Sequence, residues 1–404
     1  MIRITMLLLT VLSFSSFSFA AKPDQSKIFT PYFDMTLSES VFVPSEGDFF
    51  SGGNINTQVG LLSKIDEKNS IFGLYNFNYI GPGFQLQDAG QFSERSMGHS
   101  FNIEYRRKLS ERFSVRPGIS YGVDYKRAGA NEAWENGLYN TNSLGFKLAT
   151  DYRFDFDRNG VVTFEYLQRS IEFPNYTDLL LEFQGAGLSA ELSGGLQDQK
   201  LKKVSLRSVW NKFFGGLIYT IQYFKNQRVI NDAGTIGGTY GSTLQEDKTT
   251  ALDFGYHHTW WIFEMAPSAT YSMRRSNQNF VRFKSLGDVT PDFIAKNYDY
   301  NELKLSVPLD LLITGKWAIS GALSMIRRNY TDRPARDADN AYTSFTQSNT
   351  VTTLSGGIRK KMNDIATVRI SYSLVFALSN NKFERYFPYN YTGNALGVAY
   401  QLSY

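Results

Sequence analysis

Histidine is the side chain most often used for acid–base chemistry near neutral pH, and this chain has three histidines. Two of them, His257 and His258, are adjacent, and Asp253 lies four residues before the first. Four residues of an extended strand span about 13 Å, so Asp253 cannot hydrogen-bond His257 directly. We therefore predict that the protein is not an enzyme.

A second candidate for chemistry is the segment Asp-Phe-Asp-Arg-Asn-Gly at residues 155–160, which matches the opening of a calcium-binding loop. Such a loop needs a bidentate carboxylate at its twelfth position, where this chain has Tyr166, with Glu165 one residue too early. Asp, Asn and Gly are also common in tight turns. A turn is the preferred interpretation and calcium the alternative, so neither a metal nor another cofactor is predicted.

The composition narrows the class of protein. The absence of cysteine excludes disulfides, thiolate metal sites and cysteine nucleophiles. Aromatic residues make up 15% of the chain, with 25 Tyr and 32 Phe, which exceeds what an ordinary core needs. The mean hydropathy is only −0.30, and no later segment approaches the roughly 20 apolar residues of a membrane helix. A net charge of +4 gives no reason to expect nucleic acid as a partner.

The first 20 residues differ from the rest. Arg3 gives a positive start, residues 6–12 form an apolar run, and Ser18 and Ala20 are small residues at the usual cleavage positions. This pattern predicts a secretory signal peptide over residues 1–20. A flexible leader over residues 21–27 and one domain over residues 28–404 are expected to follow.

Apolar and polar residues alternate along most of the remaining chain, which is the pattern of β-strands with two different faces. The clearest strand covers residues 113–125. Its length, like that of the others, suits a tilted strand that crosses a bilayer. The other clear strands cover residues 54–63, 97–105, 144–154, 252–260, 303–309, 317–325, 366–378 and 396–404.

The connections between strands alternate between short and long. Counting back from the last strand requires a further strand over residues 28–43, which gives sixteen strands. The region 176–192 alternates poorly and leaves eighteen as an alternative. The short connections are predicted near residues 66–69, 108–112, 156–160, 211–213, 260–261, 312–315 and 361–364. The long ones are predicted near residues 81–95, 127–141, 173–199, 228–247, 276–296, 331–347 and 379–391.

The last nine residues, 396–404, alternate strictly and end on an aromatic ring. This segment resembles the closing strand of Gram-negative outer-membrane β-barrels. The resemblance implies an all-β transmembrane antiparallel barrel in the bacterial outer membrane, with short periplasmic turns and long extracellular loops. It implies that Tyr400, Leu402 and Tyr404 belong to the signal read by the barrel assembly machinery. Outer-membrane lipid, lipopolysaccharide and a possible homotrimer are the other partners expected.

The face opposite the apolar residues carries charges of both signs, with a slight basic excess. Charges that point into a barrel need water or a partner, so they predict a wet interior biased toward anionic solutes. The alternative is a salt-bridged interior that only holds the barrel's shape. The predicted pore-lining residues are Glu104, Arg106, Arg116, Asp124, Lys147, Asp151, Arg153, Arg169, Arg207, Asp253, Glu264, Arg274, Lys304 and Arg369.

The predicted loop over residues 173–199 is unusually apolar for a loop in water. We expect it to fold into the barrel and narrow the pore, with Leu179, Leu181 and Phe183 at the constriction. A strand extension above the membrane, or a contact between subunits, would explain the same residues.

The expected function is a water-filled channel for passive or weakly selective diffusion of small hydrophilic solutes. The alternative is a barrel without a channel, an adhesin, receptor or scaffold that binds partners through polar external loops such as residues 128–142 and 332–348. A soluble secreted β-protein is a third possibility.

Overall fold

The computed structural model describes residues 28–45, 50–81, 95–127, 133–176, 197–233, 238–282, 290–384 and 389–404. The predicted signal peptide (residues 1–20) and leader (residues 21–27) lie outside these residues. The predicted constriction residues Leu179, Leu181 and Phe183 also lie outside them.

The strands form one closed antiparallel barrel of sixteen strands, which confirms the predicted fold class and strand count. Each barrel strand pairs with its neighbour in sequence, and β1 pairs with β20 to close the ring. β10 with β11 makes one interrupted barrel strand, β12 with β13 makes another, and β14 and β15 pair only with each other outside the barrel. The strands are β1 (Phe29–Pro44), β2 (Phe50–Lys64), β3 (Asn69–Gly81), β4 (Arg95–Lys108), β5 (Phe113–Arg127), β6 (Thr141–Asp155), β7 (Gly160–Glu172), β8 (Gln199–Trp210), β9 (Phe213–Asp232), β10 (Thr239–Tyr256), β11 (His258–Trp260), β12 (Phe263–Met265), β13 (Ser268–Ser276), β14 (Phe280–Arg282), β15 (Asp292–Ile294), β16 (Tyr300–Leu312), β17 (Trp317–Arg336), β18 (Tyr342–Lys361), β19 (Ala366–Ser379) and β20 (Tyr391–Ser403).

Alternation of residue types gives each strand two different faces because neighbouring side chains point in opposite directions. In β6, Phe146 is 56% exposed on the outer face, whereas Ala149 is fully buried on the inner face. In β5, Ile119 and Tyr121 are exposed, and the intervening Ser120 is less so. The same order continues around the barrel, so the outer surface is apolar and the inner surface polar.

Tight turns join the strands at one end of the barrel, as predicted. In the turn between β6 and β7, the backbone amides of Asp157 and Arg158 donate to Asp155 Oδ1, each at 3.0 Å. Asn159 follows with a φ of 51°, a left-handed conformation that asparagine tolerates well. This confirms the turn interpretation of residues 155–160. Asn211 has a φ of 54° in the next turn at the same end.

Four strands extend beyond the predicted limits at the other end. β9 and β10 meet across Asp232 and Thr239, and β17 and β18 meet across Arg336 and Tyr342. The prediction of loops over residues 228–247 and 331–347 was therefore wrong: most of these residues continue the hairpins. Polar side chains occur on both faces there, and apolar ones such as Val229, Ile230 and Leu244 follow no regular alternation, so the pattern that marks a strand in the barrel is missing.

Two prolines lie where the pairing between strands is already interrupted. Pro117 lies opposite a gap in the β4–β5 pairing, between the pairs Glu104–Gly118 and Arg107–Val115. Pro267 separates β12 from β13, and its carbonyl accepts a hydrogen bond from the Tyr256 amide at 3.0 Å. Because proline has no N–H to donate, such positions limit the loss of pairing.

One part of the inner wall is smooth. Small uncharged residues face inward on four consecutive barrel strands: β18, β19, β20 and β1. They are Thr353, Ser355 and Gly357; Ser371 and Ser373; Ala395, Gly397 and Ala399; and Thr36, Ser38 and Ser40. We call this region the smooth wall.

Helical structure is scarce. Among the described residues, the only helix is a single 3-10 turn over Trp134–Asn136. No helix in that part of the chain is long and apolar enough to cross a membrane.

Candidate functional site

A belt of exposed apolar side chains surrounds the barrel. Ile103, Leu144, Leu206, Val307 and Leu354 belong to it, on strands distributed around the ring. In water this would be an exposed apolar patch far larger than soluble proteins show, whereas in a bilayer it is buried. A closed ring leaves no unpaired strand edge, which a bilayer also requires.

Aromatic side chains lie on this outer surface near the strand ends. Trp210, Trp260 and Trp317 are exposed beside the tight turns, and Tyr223 and Phe376 are exposed nearer the other end. Aromatic girdles at both lipid–water interfaces are typical of transmembrane barrels. The chain is an outer-membrane β-barrel. In such barrels the tight turns face the periplasm and the longer connections face the outside.

The inner face of the barrel is the candidate site. All of the predicted pore-lining residues in the described barrel strands have the parity of this face. Arg106, Arg153 and Glu264 lie near the periplasmic end, and Asp124 lies near the external end. The others comprise members of the two ion-pair networks described below and four residues, Arg169, Arg207, Asp253 and Arg369, that form no ion pair with a described residue.

Glu104, Arg116, Lys147 and Asp151 form one ion-pair network, here called the first network. The Arg116 guanidinium donates to Glu104 Oε1 at 3.0 Å and to both oxygens of Asp151 at 2.8 Å. Lys147 also pairs with Glu104. The network links β4, β5 and β6, and Thr163 of β7 donates to Asp151 at 2.8 Å. It therefore joins four neighbouring strands across the inner wall.

Asp247, Arg274, Glu302, Lys304 and Arg328 form the second network. Arg274 Nη2 donates to Asp247 Oδ2 at 2.6 Å, and Arg328 Nη2 lies 2.5 Å from Glu302 Oε2. Lys304 lies 3.1 Å from the other oxygen of Glu302.

Tyr300 joins the two halves of this second network. The Arg328 and Arg274 guanidinium carbons lie 4.2 Å and 5.9 Å from the Tyr300 ring centre. Both distances are within the range of a cation–π contact. An aromatic ring thus holds two arginines on the inner wall.

Five of the predicted arginines form no ion pair within the described residues: Arg106 and Arg153, which lie near the periplasmic end, and Arg169, Arg207 and Arg369. Arg169 lines an inner-face cavity of about 260 Å³, whose other lining residues are largely Asn, Ser and Gly and include the carboxylate of Asp124. Its Nε atom is buried without a hydrogen-bond acceptor. These guanidinium groups are the part of the site available to an anionic ligand.

Several inner-face charges were not predicted. Glu302 and Arg328 lie just beyond the predicted strand ends, and Asp247 was assigned to a loop. Arg359 and Asp310 pair at 3.2 Å near the periplasmic end. Lys203 on β8 is a further one, and it lies 2.7 Å from Glu165 of β7, whose inward orientation the alternation does predict. The same two-residue periodicity would have identified most of them if the strand limits had been set correctly.

The histidines do not assemble a catalytic group with Asp253. His257 faces inward, as predicted, and its Nε2 lies 3.0 Å from Glu264 Oε1 across the β11–β12 hairpin. His258 contacts Lys212 and lies beside the Tyr256 ring. His99 lies on the outer face and bonds the Tyr75 hydroxyl at 2.7 Å.

No group of three or more metal-ligating side chains occurs in the described part of the chain. The Asp155 carboxylate instead accepts hydrogen bonds from its own turn and, at 3.1 Å, from the Trp210 indole. Tyr400 lies on the outer face of β20, and the backbone of Tyr404 pairs with Phe33 of β1 at 2.7 and 3.0 Å. A role for Tyr400, Leu402 and Tyr404 in assembly stays a prediction.

No family model matches the chain, and no curated protein matches it. Among solved structures, OmpT, an outer membrane protein of Vibrio cholerae, has a TM-score of 0.48 and 10% identity and covers 95% of this chain and 100% of its own. The CymD monoaromatic hydrocarbon channel has a TM-score of 0.39 and 10% identity, over 92% and 88% of the two chains. The ferric enterobactin receptor of Pseudomonas aeruginosa has a TM-score of 0.42 and 9% identity, over 92% and 80%.

Proposed function

We propose that the barrel forms a water-filled channel for small hydrophilic solutes and favours anionic ones. The observation that supports this most directly is the set of unpaired inner-face arginines, which includes Arg169, Arg207 and Arg369. A guanidinium group that faces the interior without a carboxylate partner needs water or a passing anion to satisfy it. A dry, plugged interior would leave these charges unsatisfied.

Most inner-face carboxylates are engaged with the protein itself. Asp34 accepts a hydrogen bond from Gln401 at 3.0 Å, and Asp124 accepts one from Thr141 at 3.2 Å. Asp253 is the exception among the predicted carboxylates, since it makes no ion pair with a described residue. The charge left for solutes is therefore modestly positive, which supports a weak rather than strict anion preference.

The two ion-pair networks support a second, compatible role for inner-face charge. They connect neighbouring strands and hold the wall in shape, which was the alternative interpretation of the inner charges. Paired groups stabilise the wall, and the unpaired arginines interact with the solute. The channel proposal depends on the unpaired set alone.

Single-channel recording in a planar bilayer tests the proposal. We expect steady conductance steps and, under a potassium chloride gradient, a reversal potential that indicates chloride preference. The double variant Arg207→Gln and Arg369→Gln should shift that potential toward zero. The matched control is Arg327→Gln, which removes an exposed positive charge from the outer face of β17. A silent membrane would favour a receptor or scaffold instead.

The predicted constriction loop also remains a proposal. Deleting residues 178–191 should raise single-channel conductance if Leu179, Leu181 and Phe183 narrow the pore. Unchanged conductance with a normally folded barrel would favour a strand extension or a subunit contact. Cross-linking in native membranes tests the homotrimer that the resemblance implies.

A surface-receptor role is the second candidate because hydrogen bonds fix the described segment around β14 at the external end. Gln278 Oε1 accepts from the Ile230 amide at 2.9 Å, and Asn279 Nδ2 donates to the Ile230 carbonyl at 2.7 Å. Arg282 donates to the Asn340 carbonyl at 2.6 Å. The segment around β14 is thus attached to two different hairpins, which gives this end a fixed surface.

A further inference from the structure

A cavity of about 150 Å³ lies at the external end, away from the inner-face networks. It is formed where β17 and β18 extend beyond the barrel and the segment carrying β14 and β15 packs against them. Its lining contains two guanidinium groups and no carboxylate. The lining residues are Phe280, Asn297, Tyr298, Arg333, Pro334, Arg336 and Tyr342.

The two arginines keep their charge available. Neither Arg333 nor Arg336 forms an ion pair within the described residues. The neighbouring Arg282 differs, because it pairs with Asp292 at 2.8 Å and its side chain is only 10% exposed. Arg282 is therefore part of the support, and the excess positive charge of the cavity comes from Arg333 and Arg336.

The guanidinium groups are held in place before any ligand arrives. Arg336 Nη1 donates to Asn340 Oδ1 at 3.0 Å, and that same oxygen accepts from Arg282 Nη1 at 3.1 Å. The Arg333 guanidinium carbon lies 4.8 Å from the Tyr330 ring centre. Fixed donors lose little conformational freedom when they bind, which favours affinity.

A third donor lies in the same wall. Asn297 is only 5% exposed, and its side chain makes no hydrogen bond to another described residue. The Asn297 side chain lines the cavity, so water or a ligand there can supply its hydrogen bonds. Its NH₂ group gives the cavity a neutral hydrogen-bond donor beside two cationic ones.

We propose that this external cavity binds a phosphoryl group. Arginine forks match the oxygens of phosphate with paired hydrogen bonds, and an amide donor can satisfy a further oxygen. The volume holds one such group with a few waters, since a water occupies about 30 Å³ of liquid. The source is either a soluble phosphate monoester or a phosphate of lipopolysaccharide, which surrounds the external end of an outer-membrane barrel.

Calorimetry on the purified barrel in phosphate-free detergent tests the proposal without using conduction. The soluble probe is glucose 6-phosphate, with glucose as its uncharged counterpart. The lipid probe is lipopolysaccharide, compared with the same preparation after enzymatic removal of its phosphates. We expect binding of a phosphorylated probe and not of its phosphate-free counterpart.

Arg333→Gln and Arg336→Gln should each weaken that binding about tenfold or more, as expected for the loss of one charge-assisted contact. Arg327→Gln lies on the same strand outside the cavity and should bind like the wild type. Heat-dependent gel mobility establishes that each variant is folded.

The two probes distinguish the two sources. Binding of glucose 6-phosphate that both variants weaken supports a soluble ester. Binding of phosphorylated lipopolysaccharide alone, weakened by the same variants, supports a lipid phosphate. Absence of binding to both probes overturns the proposal, as does equal binding by folded variants and wild type.

Discussion

Glu302 is a buried carboxylate on the inner face that pairs with two cations. Its side chain is only 4% exposed, and it contacts both Arg328 and Lys304. Removing the buried Glu302 carboxylate leaves Arg328 without its partner. This is more unfavourable than losing an ion pair that is exposed to water. The stability and the selectivity of the barrel should therefore both respond to this one residue.

Glu302→Gln should lower the free energy of unfolding by about 2 kcal/mol, because Arg328 stays buried without its counter-charge. It should also increase chloride preference, since the inner wall gains positive charge. Urea unfolding in lipid vesicles measures the first effect and reversal potentials the second. Asp253→Asn is the control for stability, because Asp253 has no ion pair to lose, and it should change the free energy by less than about 0.5 kcal/mol. An equal loss in both variants would contradict the role given to Glu302.

Individual residues show how far the sequence predicts the inner face. Lys304 was assigned correctly, but Glu302, two residues away on the same face, was not, because the predicted strand began at residue 303. Inner-face residues are polar both inside the membrane and above it. The inner-face residues therefore do not show where a strand starts. Only the apolar residues of the outer face show where the strand enters the membrane.

Which inner charges pair could not be predicted at all. Arg116 bonds Asp151, 35 residues away, because β5 and β6 lie in a particular register. Arg369 has the same parity and the same residue type yet no ion pair. Pairing depends on which side chains the register places side by side, and a single strand's alternation does not contain that register.

Among the elements, β18 contains two adjacent glycines with opposite requirements. A Cβ at Gly357 would lie 2.4 Å from the Ile370 carbonyl oxygen of β19, so the strands would have to separate. A Cβ at Gly356 would meet nothing closer than 4.0 Å. The close approach of β18 to β19 thus depends on Gly357 and not on Gly356.

Gly357→Ala should destabilise the barrel by about 1–3 kcal/mol, the usual range for forcing a group into a packed site. Gly356→Ala should be neutral to within about 0.5 kcal/mol, which makes it a matched control one residue away. The urea midpoint of each folded variant gives the comparison. Similar midpoints for both variants would mean that the two strands can separate freely at this point.

The periplasmic turn after β6 should make stability depend on pH. Hydrogen bonds from the Arg158 amide, the Trp210 indole and the Asp157 amide hold the pKa of Asp155 below its usual range. A carboxylate with a lowered pKa stabilises the folded state above its unfolded pKa of about 3.9. That contribution is lost as the pH falls through the folded-state pKa.

Asp155→Ala should therefore have a lower urea midpoint than the wild type near pH 7, and the difference should shrink as the pH falls below about 4. Unfolding curves at several pH values measure it. Asp157→Ala removes a carboxylate from the same turn that accepts no hydrogen bond from a described residue, so it should show little difference at any pH. A pH-independent difference for Asp155→Ala would exclude this mechanism.

Over the whole molecule, closure of the ring could be predicted only indirectly. Residues 28–43 alternate poorly, and the sequence required a strand there only because the descending strand at residues 54–63 needs a rising partner upstream. In the structure β1 pairs along its length with both β2 and β20. Pairing with one strand on each side thus outweighs the weak alternation of β1, as tertiary context often does.

The seam between β1 and β20 can be tested directly because the chain has no cysteine. Ser38 lies opposite Ala399, so the double variant Ser38→Cys and Ala399→Cys should form a disulfide in the folded barrel. Ser38→Cys with Ser371→Cys should not, since β19 lies two strands from β1, or about 10 Å. Gel mobility with and without reductant measures the result. Cross-linking of the second pair would contradict this strand order.

The smooth wall has a consequence for any molecule that crosses the barrel. In a ring of sixteen strands, β20 lies across from β8, whose neighbourhood carries Lys203, Arg207 and Arg169. The electric field inside the barrel therefore points across it, from one wall to the other, rather than along its axis. A solute with a negative charge at one end would turn that end toward β8, and its neutral body would lie along β20, since Arg369 places a positive charge on β19. Mirror-image solutes held in that orientation would present different groups to the protein, so such a pore should pass two enantiomers at unequal rates.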